Sequence, residues 1–149
     1  MEKPRLHGSG VERDMDSFSD YSHALAAMSG FSILMIVLGA MSTVGRSSEN
    51  RGECGTVKRD YNDVVYRRGR AFANAMEIVG PFLGATLAAI LVGASPFWVN
   101  LFASIFLVAR IAMAAVHIGT TNQPMRSAFW ALGTVCVMAL AISAIIGAF

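Results

Sequence analysis

The chain has 149 residues, 54% of them hydrophobic and only 15% charged. A soluble domain this small needs more polar surface, so the composition excludes an ordinary soluble protein and points to one integral to a membrane. The net charge of +2 is too small to argue for a nucleic-acid partner, and no zinc or phosphate-loop spacing accompanies the bases, so no metal is expected.

In chain order, residues 1 to 20 are polar and carry Gly8-Ser9-Gly10. They read as a poorly ordered tail rather than a removable signal peptide, because the first apolar segment is long enough to stay as a spanning helix. Uncharged runs follow at 24 to 45, 78 to 109, 111 to 123 and 127 to 149. The second is too long for one helix, which needs about 20 residues to cross the hydrocarbon. Gly93-Ala94-Ser95-Pro96 divides it, since Gly and Pro favour a turn and Pro suits the first turn of the next helix. Extended over their polar ends, the pieces predict four spans near 22–45, 66–92, 97–119 and 126–148, an all-α four-helix membrane bundle.

Orientation follows from the basic residues. Arg46, Arg51, Lys58, Arg59, Arg67 and Arg68 lie between the first two spans and Arg126 at the start of the fourth, whereas the link around Ser95 has none. The positive-inside rule places the first and third loops in the cytoplasm and both termini opposite. A bacterial inner membrane and an endoplasmic reticulum satisfy it alike. The basic loop run reads as solvated and near anionic headgroups. Cys54, in that loop, and Cys136, within the fourth span, read as free thiols too far apart to pair.

The polar residues inside the apolar spans are the informative ones. A charge at the centre of a spanning helix costs roughly 2.5 to 3.5 kcal/mol, so an intramembrane ion is a functional hypothesis from the start. In the second span Arg67, Arg70, Asn74 and Glu77 follow at spacings of three, four and three, one helical face. The stripe continues through Gly80, Pro81, Gly84 and Ala88, small residues that admit a neighbouring backbone, which points the charges at protein rather than lipid. Pro81 is expected to kink the helix past Glu77 and free that residue's carbonyl.

The third span places Arg110, Met113 and His117 on one stripe, and the fourth opens with Pro124-Met125-Arg126-Ser127, then Trp130 one turn beyond Arg126. The cations exceed the anions among these groups, with one carboxylate, one amide and one imidazole beside them. That suits a small ligand with two or more negative groups and an amine: arginine pairs bidentately with carboxylates and stays charged when desolvated, and Glu77 takes the amine. A thiol near Arg126 would ionise more readily. A peptide-like thiol cosubstrate fits.

Arg70-Ala71-Phe72-Ala73-Asn74-Ala75-Met76-Glu77-Ile78-Val79-Gly80-Pro81-Phe82-Leu83 resembles the R-A-x-x-N-x-x-E-x-x-x-P-F-L signature of the superfamily of membrane-associated proteins in eicosanoid and glutathione metabolism. The third span and Pro124 to Ser127 resemble the same superfamily, in the branch of microsomal prostaglandin E synthases and glutathione transferases. The likeness runs from about residue 22 to the C-terminus. It implies a homotrimer of four-helix bundles that binds glutathione between subunits near the cytoplasmic side, among membrane lipids. It also implies roles: Arg70, Asn74 and Glu77 on glutathione's charged backbone, Arg110 in the same network, Arg126 on the thiolate and Ser127 orienting it. Met113, His117 and Trp130 fall among the cosubstrate contacts. His117 and Trp130 stand where prostaglandin synthases carry tyrosines, and Ala73 where they carry a further arginine, while Asn122-Gln123-Pro124 echoes the transferases.

The resulting expectation is a glutathione transferase that adds the thiolate to a hydrophobic electrophile or lipid, with conjugation or peroxide reduction as outcomes. The alternatives are a glutathione-dependent isomerase of an oxygenated lipid, a non-enzymatic lipid-binding scaffold, and a small transporter subunit, which the lack of an inverted repeat disfavours. Plainer readings stand beside the roles: Arg70 and Glu77 as a structural ion pair, Asn74 as an interhelical hydrogen bond, Arg110 as a structural cation, His117 facing interfacial water, and Arg126 as a positive-inside anchor. Trp98 reads as an interfacial anchor.

Overall fold

The computed structural model describes residues 18–149, so the polar tail expected at the N-terminus lies, as far as residue 17, outside the described residues. Four long helices make up the fold: α1 Ser22–Met41, α2 Val64–Leu91, α3 Pro96–Gly119 and α4 Gln123–Ala148. Each is long and apolar enough to cross a bilayer. The protein is a multi-pass, all-α membrane bundle.

Local chemistry sets the helix ends. α1 stops at Met41, short of the end of its uncharged run, because the hydroxyls of Ser42 and Thr43 turn back to donate to the carbonyls of Gly39 (2.7 Å) and Ala40 (2.8 Å). The Asp63 carboxylate caps α2 by accepting from the Val65 N–H at 2.8 Å, and Asn122 caps α4 by accepting from the Met125 N–H at 3.0 Å. Between α2 and α3, Gly93 adopts φ +69°, a conformation that glycine enters without a steric penalty, and Pro96 opens α3. Pro81 sits inside α2, yet the helix runs unbroken from Val64 to Leu91. Pro81 has no backbone N–H, so the Glu77 carbonyl is without its usual intrahelical donor.

Phe31, Phe82 and Phe106, one each from α1, α2 and α3, form the centre of the core and are fully buried. Their ring centroids lie 5.5, 5.0 and 3.8 Å apart. Lipid tails are as apolar as these rings, so the cluster stabilises the bundle through close packing rather than escape from water. Gly133 lets α4 join it: a Cβ there would lie 3.7 Å from the Phe106 ring and 3.3 Å from Arg110 Cδ.

One side of α2 meets none of this. Met76, Glu77, Gly80, Pro81, Gly84, Leu87, Ala88 and Leu91 are all exposed, and a Cβ at Gly80 or Gly84 would meet nothing within 4 Å. The small-residue stripe expected to pack against protein is therefore not covered by the described residues. The polar face splits at Asn74: residues before it turn inward, and Glu77 turns outward.

The two ends of the bundle differ. At the α2–α3 turn, the Tyr21 hydroxyl donates to the Ala94 carbonyl, the Ala24 N–H donates to Asn100 Oδ1 at 2.9 Å, and Asn100 Nδ2 donates to the Asp20 carbonyl at 2.6 Å. Burial, with the Asp20 carboxylate adding to it, pushes the Tyr21 phenol up from its ordinary value and keeps it a donor. At the other end, the α1–α2 loop is a folded segment with an Arg51–Val57 bridge and a single 3-10 turn at Glu53–Gly55. Its basic run is not simply solvated. Arg67 donates to the carbonyls of Tyr61 (2.7 Å), Asn62 (2.9 Å) and Ile118 (3.1 Å), tying the loop to the last turn of α3. Cys54 is exposed in that loop, Cys136 is buried, and both are free.

Candidate functional site

At the loop end, Arg70 and Asn74 of α2, Met113 and His117 of α3, and Arg126, Ser127 and Trp130 of α4 line one cavity of about 170 Å³ together with Tyr61. Seven of the residues singled out in the sequence meet there. Helical spacing puts each set on one stripe, and the Asn122 cap fixes where α4 begins, which sets Arg126 in its first turns.

His117 is buried and holds the centre. Its Nδ1 lies 3.4 Å from Asn74 Nδ2 and its Nε2 lies 3.4 Å from a terminal nitrogen of Arg126. A guanidinium can only donate, so Nε2 must be the accepting nitrogen and Nδ1 must carry the ring proton. Asn74 then has to present its oxygen to Nδ1, an amide orientation equivalent in shape to the opposite one. The chain Asn74–His117–Arg126 therefore links α2, α3 and α4. On the other side of Arg126 the Tyr61 ring lies 5.5 Å from the guanidinium carbon, within cation–π range.

Arg110 lies deeper. It is buried, donates to the Asn74 carbonyl at 2.6 Å and to the Met113 sulfur at 3.2 Å, and sits 6.0 Å from the Phe106 ring centre. It does not line the cavity; it holds the backbone of α2 beside Asn74. Glu77 does not line the cavity either, since it is exposed on the uncovered side of α2. Among the described residues neither Arg70 nor Glu77 forms a hydrogen bond or an ion pair, so the structural Arg70–Glu77 bridge weighed from sequence is not formed. What the chain brings together is two guanidinium groups, an imidazole, an amide and a hydroxyl, with no carboxylate in the wall. In chemistry such a set is suited to an anion, since cations near a thiol favour its ionised form.

A larger cavity of about 310 Å³ adjoins the first, shares Tyr61, His117 and Arg126 with it, and extends past Arg59 and the start of α4. Tyr61 is the residue that sequence reasoning missed. It stands in an irregular loop with no periodicity, and its approach to Arg126 depends on how that loop folds back. Its one local signal is its place just before the Asp63 cap of α2.

The model of the MAPEG family, the membrane-associated proteins in eicosanoid and glutathione metabolism, matches residues 24–146. The chain belongs to that family. A search of curated proteins found no match to it. The matched span covers all of α2, α3 and the first turns of α4, so every residue lining the smaller cavity of this MAPEG protein lies within it. Membership places the protein among membrane proteins of glutathione and lipid metabolism.

Proposed function

We propose that this MAPEG protein is a glutathione-dependent membrane transferase that holds glutathione as its thiolate and adds it to a lipophilic electrophile arriving through the bilayer. The observation that carries the reading is the convergence of Arg70, Asn74, His117, Arg126 and Ser127 from three helices on one carboxylate-free cavity. Glutathione presents two carboxylates, an ammonium and a thiol. Arg70, whose side chain forms no hydrogen bond or ion pair among the described residues, suits a carboxylate, Asn74 an amide of the peptide, and Glu77 the ammonium.

Two features support a site shared between copies. The cavity of about 170 Å³ is smaller than the roughly 300 Å³ at the low end of ligand pockets, so a tripeptide gripped by Arg70 and Asn74 reaches beyond its walls. A ligand reaching both Asn74 and Glu77 also passes from the interior onto the uncovered side of α2. A homotrimer in which that side meets a neighbour, with the ligand between subunits at the cytoplasmic ends of the helices, meets both requirements.

The chemistry then follows from Arg126. The thiol proton leaves to water in the polar mouth, and the guanidinium stabilises the sulfur anion that remains. The sulfur lone pair forms the C–S bond to the electrophilic carbon. The electron pair of the broken bond goes to the departing group, or to the oxygen of an opened ring, which takes a proton from solvent. Lowering the thiol pKa raises the reactive fraction at neutral pH and costs some intrinsic nucleophilicity. Ser127, beside Arg126, orients the sulfur through its hydroxyl.

The test is an ultraviolet difference titration of glutathione onto purified protein at neutral pH. Thiolate absorbance appears with wild type and is lost in Arg126→Ala; its absence from wild type, or its persistence in the variant, would falsify the mechanism.

A further inference from the structure

The larger cavity plays no part in the reading above. Arg59 and Arg126 both line it, together with Thr120, Thr121, Asn122 and Gln123 of the α3–α4 link. No aliphatic or acidic side chain lines it. Arg59 forms no hydrogen bond or ion pair among the described residues, and the acid beside it in sequence, Asp60, instead accepts from the Asn62 N–H at 2.8 Å. The Thr120 hydroxyl is engaged at the Val116 carbonyl (2.9 Å) and the Asn122 N–H (3.1 Å), which holds the α3–α4 link in shape. The chamber thus brings together two guanidinium groups with no counter-ion, beside the positive end of a long helix.

We propose that this chamber is a second ligand subsite, one that takes an oxyanion head, a carboxylate or a phosphate monoester, between Arg59 and Arg126. Two guanidinium forks in one wall favour a planar or tetrahedral oxyanion over a neutral polar group, and an acyl chain finds no aliphatic side chain there to pack against. Its assignment to the second substrate rests on the transferase reading: a head held at Arg59 lies one shared wall, Arg126 with His117 and Tyr61, from the thiolate. Arg59 then selects acidic second substrates over neutral ones of the same length.

The experiment uses the full chain in phosphatidylcholine nanodiscs with Trp98→Phe, so that Trp130, in the wall of the smaller cavity, reports by fluorescence. Decyl phosphate, inorganic phosphate and decanol are titrated separately, and glutathione in parallel. Decyl phosphate gives a saturable change, decanol gives none, and Arg59→Gln weakens the phosphate by about fivefold, the upper end for one exposed cation. Arg59→Glu abolishes it. Glutathione affinity stays within about twofold in both variants, because Arg59 lies outside the thiol cavity. Inorganic phosphate matching decyl phosphate assigns the subsite to a soluble anion; decyl phosphate binding more than about tenfold tighter assigns it to the head of an amphiphile. Equal responses to decanol and decyl phosphate, or phosphate binding untouched by both Arg59 variants, would overturn the subsite. A glutathione titration without response in every variant overturns the transferase reading instead and leaves the phosphate result standing.

Discussion

The two ends of the bundle both place polar groups against apolar helices, and they do so in opposite ways. At the α2–α3 turn the groups close on one another: Tyr21 on Ala94, Asn100 on both Ala24 and Asp20. At the loop end the side chains of Arg59, Arg70 and Glu77 form no hydrogen bond or ion pair among the described residues, and Arg126 makes one long contact to His117 and one to a ring. Every closed group belongs to a clamp that joins two helices. Open cations beside a cavity contribute little to folding and cost desolvation, so their retention points to a ligand. Loss at the closed end should therefore appear in stability and loss at the open end in binding or rate.

The largest contrast is expected at Arg126. Arg126→Ala should lower turnover by about 10² to 10³, the usual effect of removing one donor to a developing or resident anion. Its unfolding midpoint in detergent should move little, within about 1 kcal/mol, because the side chain is only partly buried and its one link to another helix is the long 3.4 Å contact to His117. A large loss of stability with the rate preserved would reverse the assignment of the two ends.

Asn100→Ala should do the opposite. It removes a donor and an acceptor that join α3 to α1, and should cost about 1 to 2 kcal/mol, more than the roughly 0.6 kcal/mol average for a single hydrogen bond between membrane helices. Glutathione affinity by calorimetry should be unchanged. Next comes Glu77→Gln, expected to weaken glutathione by about tenfold through loss of the ammonium contact. The same variant should change the folding of the single chain little, since the carboxylate is exposed and forms no hydrogen bond or ion pair among the described residues.

Much of this division was legible in the chain itself. The spacing of Arg70, Asn74 and Glu77 places all three near one stripe of α2, and that stripe holds the site. The stripe is nonetheless a surface with an edge. Three residues turn a helix by about 300°, so Glu77 sits some 60° around from Asn74, enough for one to face His117 while the other faces away. Periodicity fixes a face and leaves open what covers it. The small residues beyond Glu77 told the same partial story, since they specify close approach without saying whether the neighbour is the same chain. The loop was legible least: Arg67 and Tyr61 act through backbone carbonyls and a ring whose positions depend on irregular turns, and no repeat in the sequence encodes them.

The smallest expected effect tests the closed end most directly. Tyr21→Phe keeps the buried ring and removes only the hydroxyl that donates to Ala94, leaving that carbonyl to the turn, so about 0.6 kcal/mol should be lost. Tyr21 and Asn100 both fasten the start of α1 to the α2–α3 corner, Tyr21 directly and Asn100 through Ala24 and Asp20. If the two act as one clamp, the double variant should lose less than the sum of the single losses, because opening either side frees the other; two separate contacts would instead add within about 0.5 kcal/mol. Glutathione binding should be indifferent to all three variants. A change there would mean that the corner at one end of the bundle is coupled to the cavity at the other, and the division drawn between them would fail.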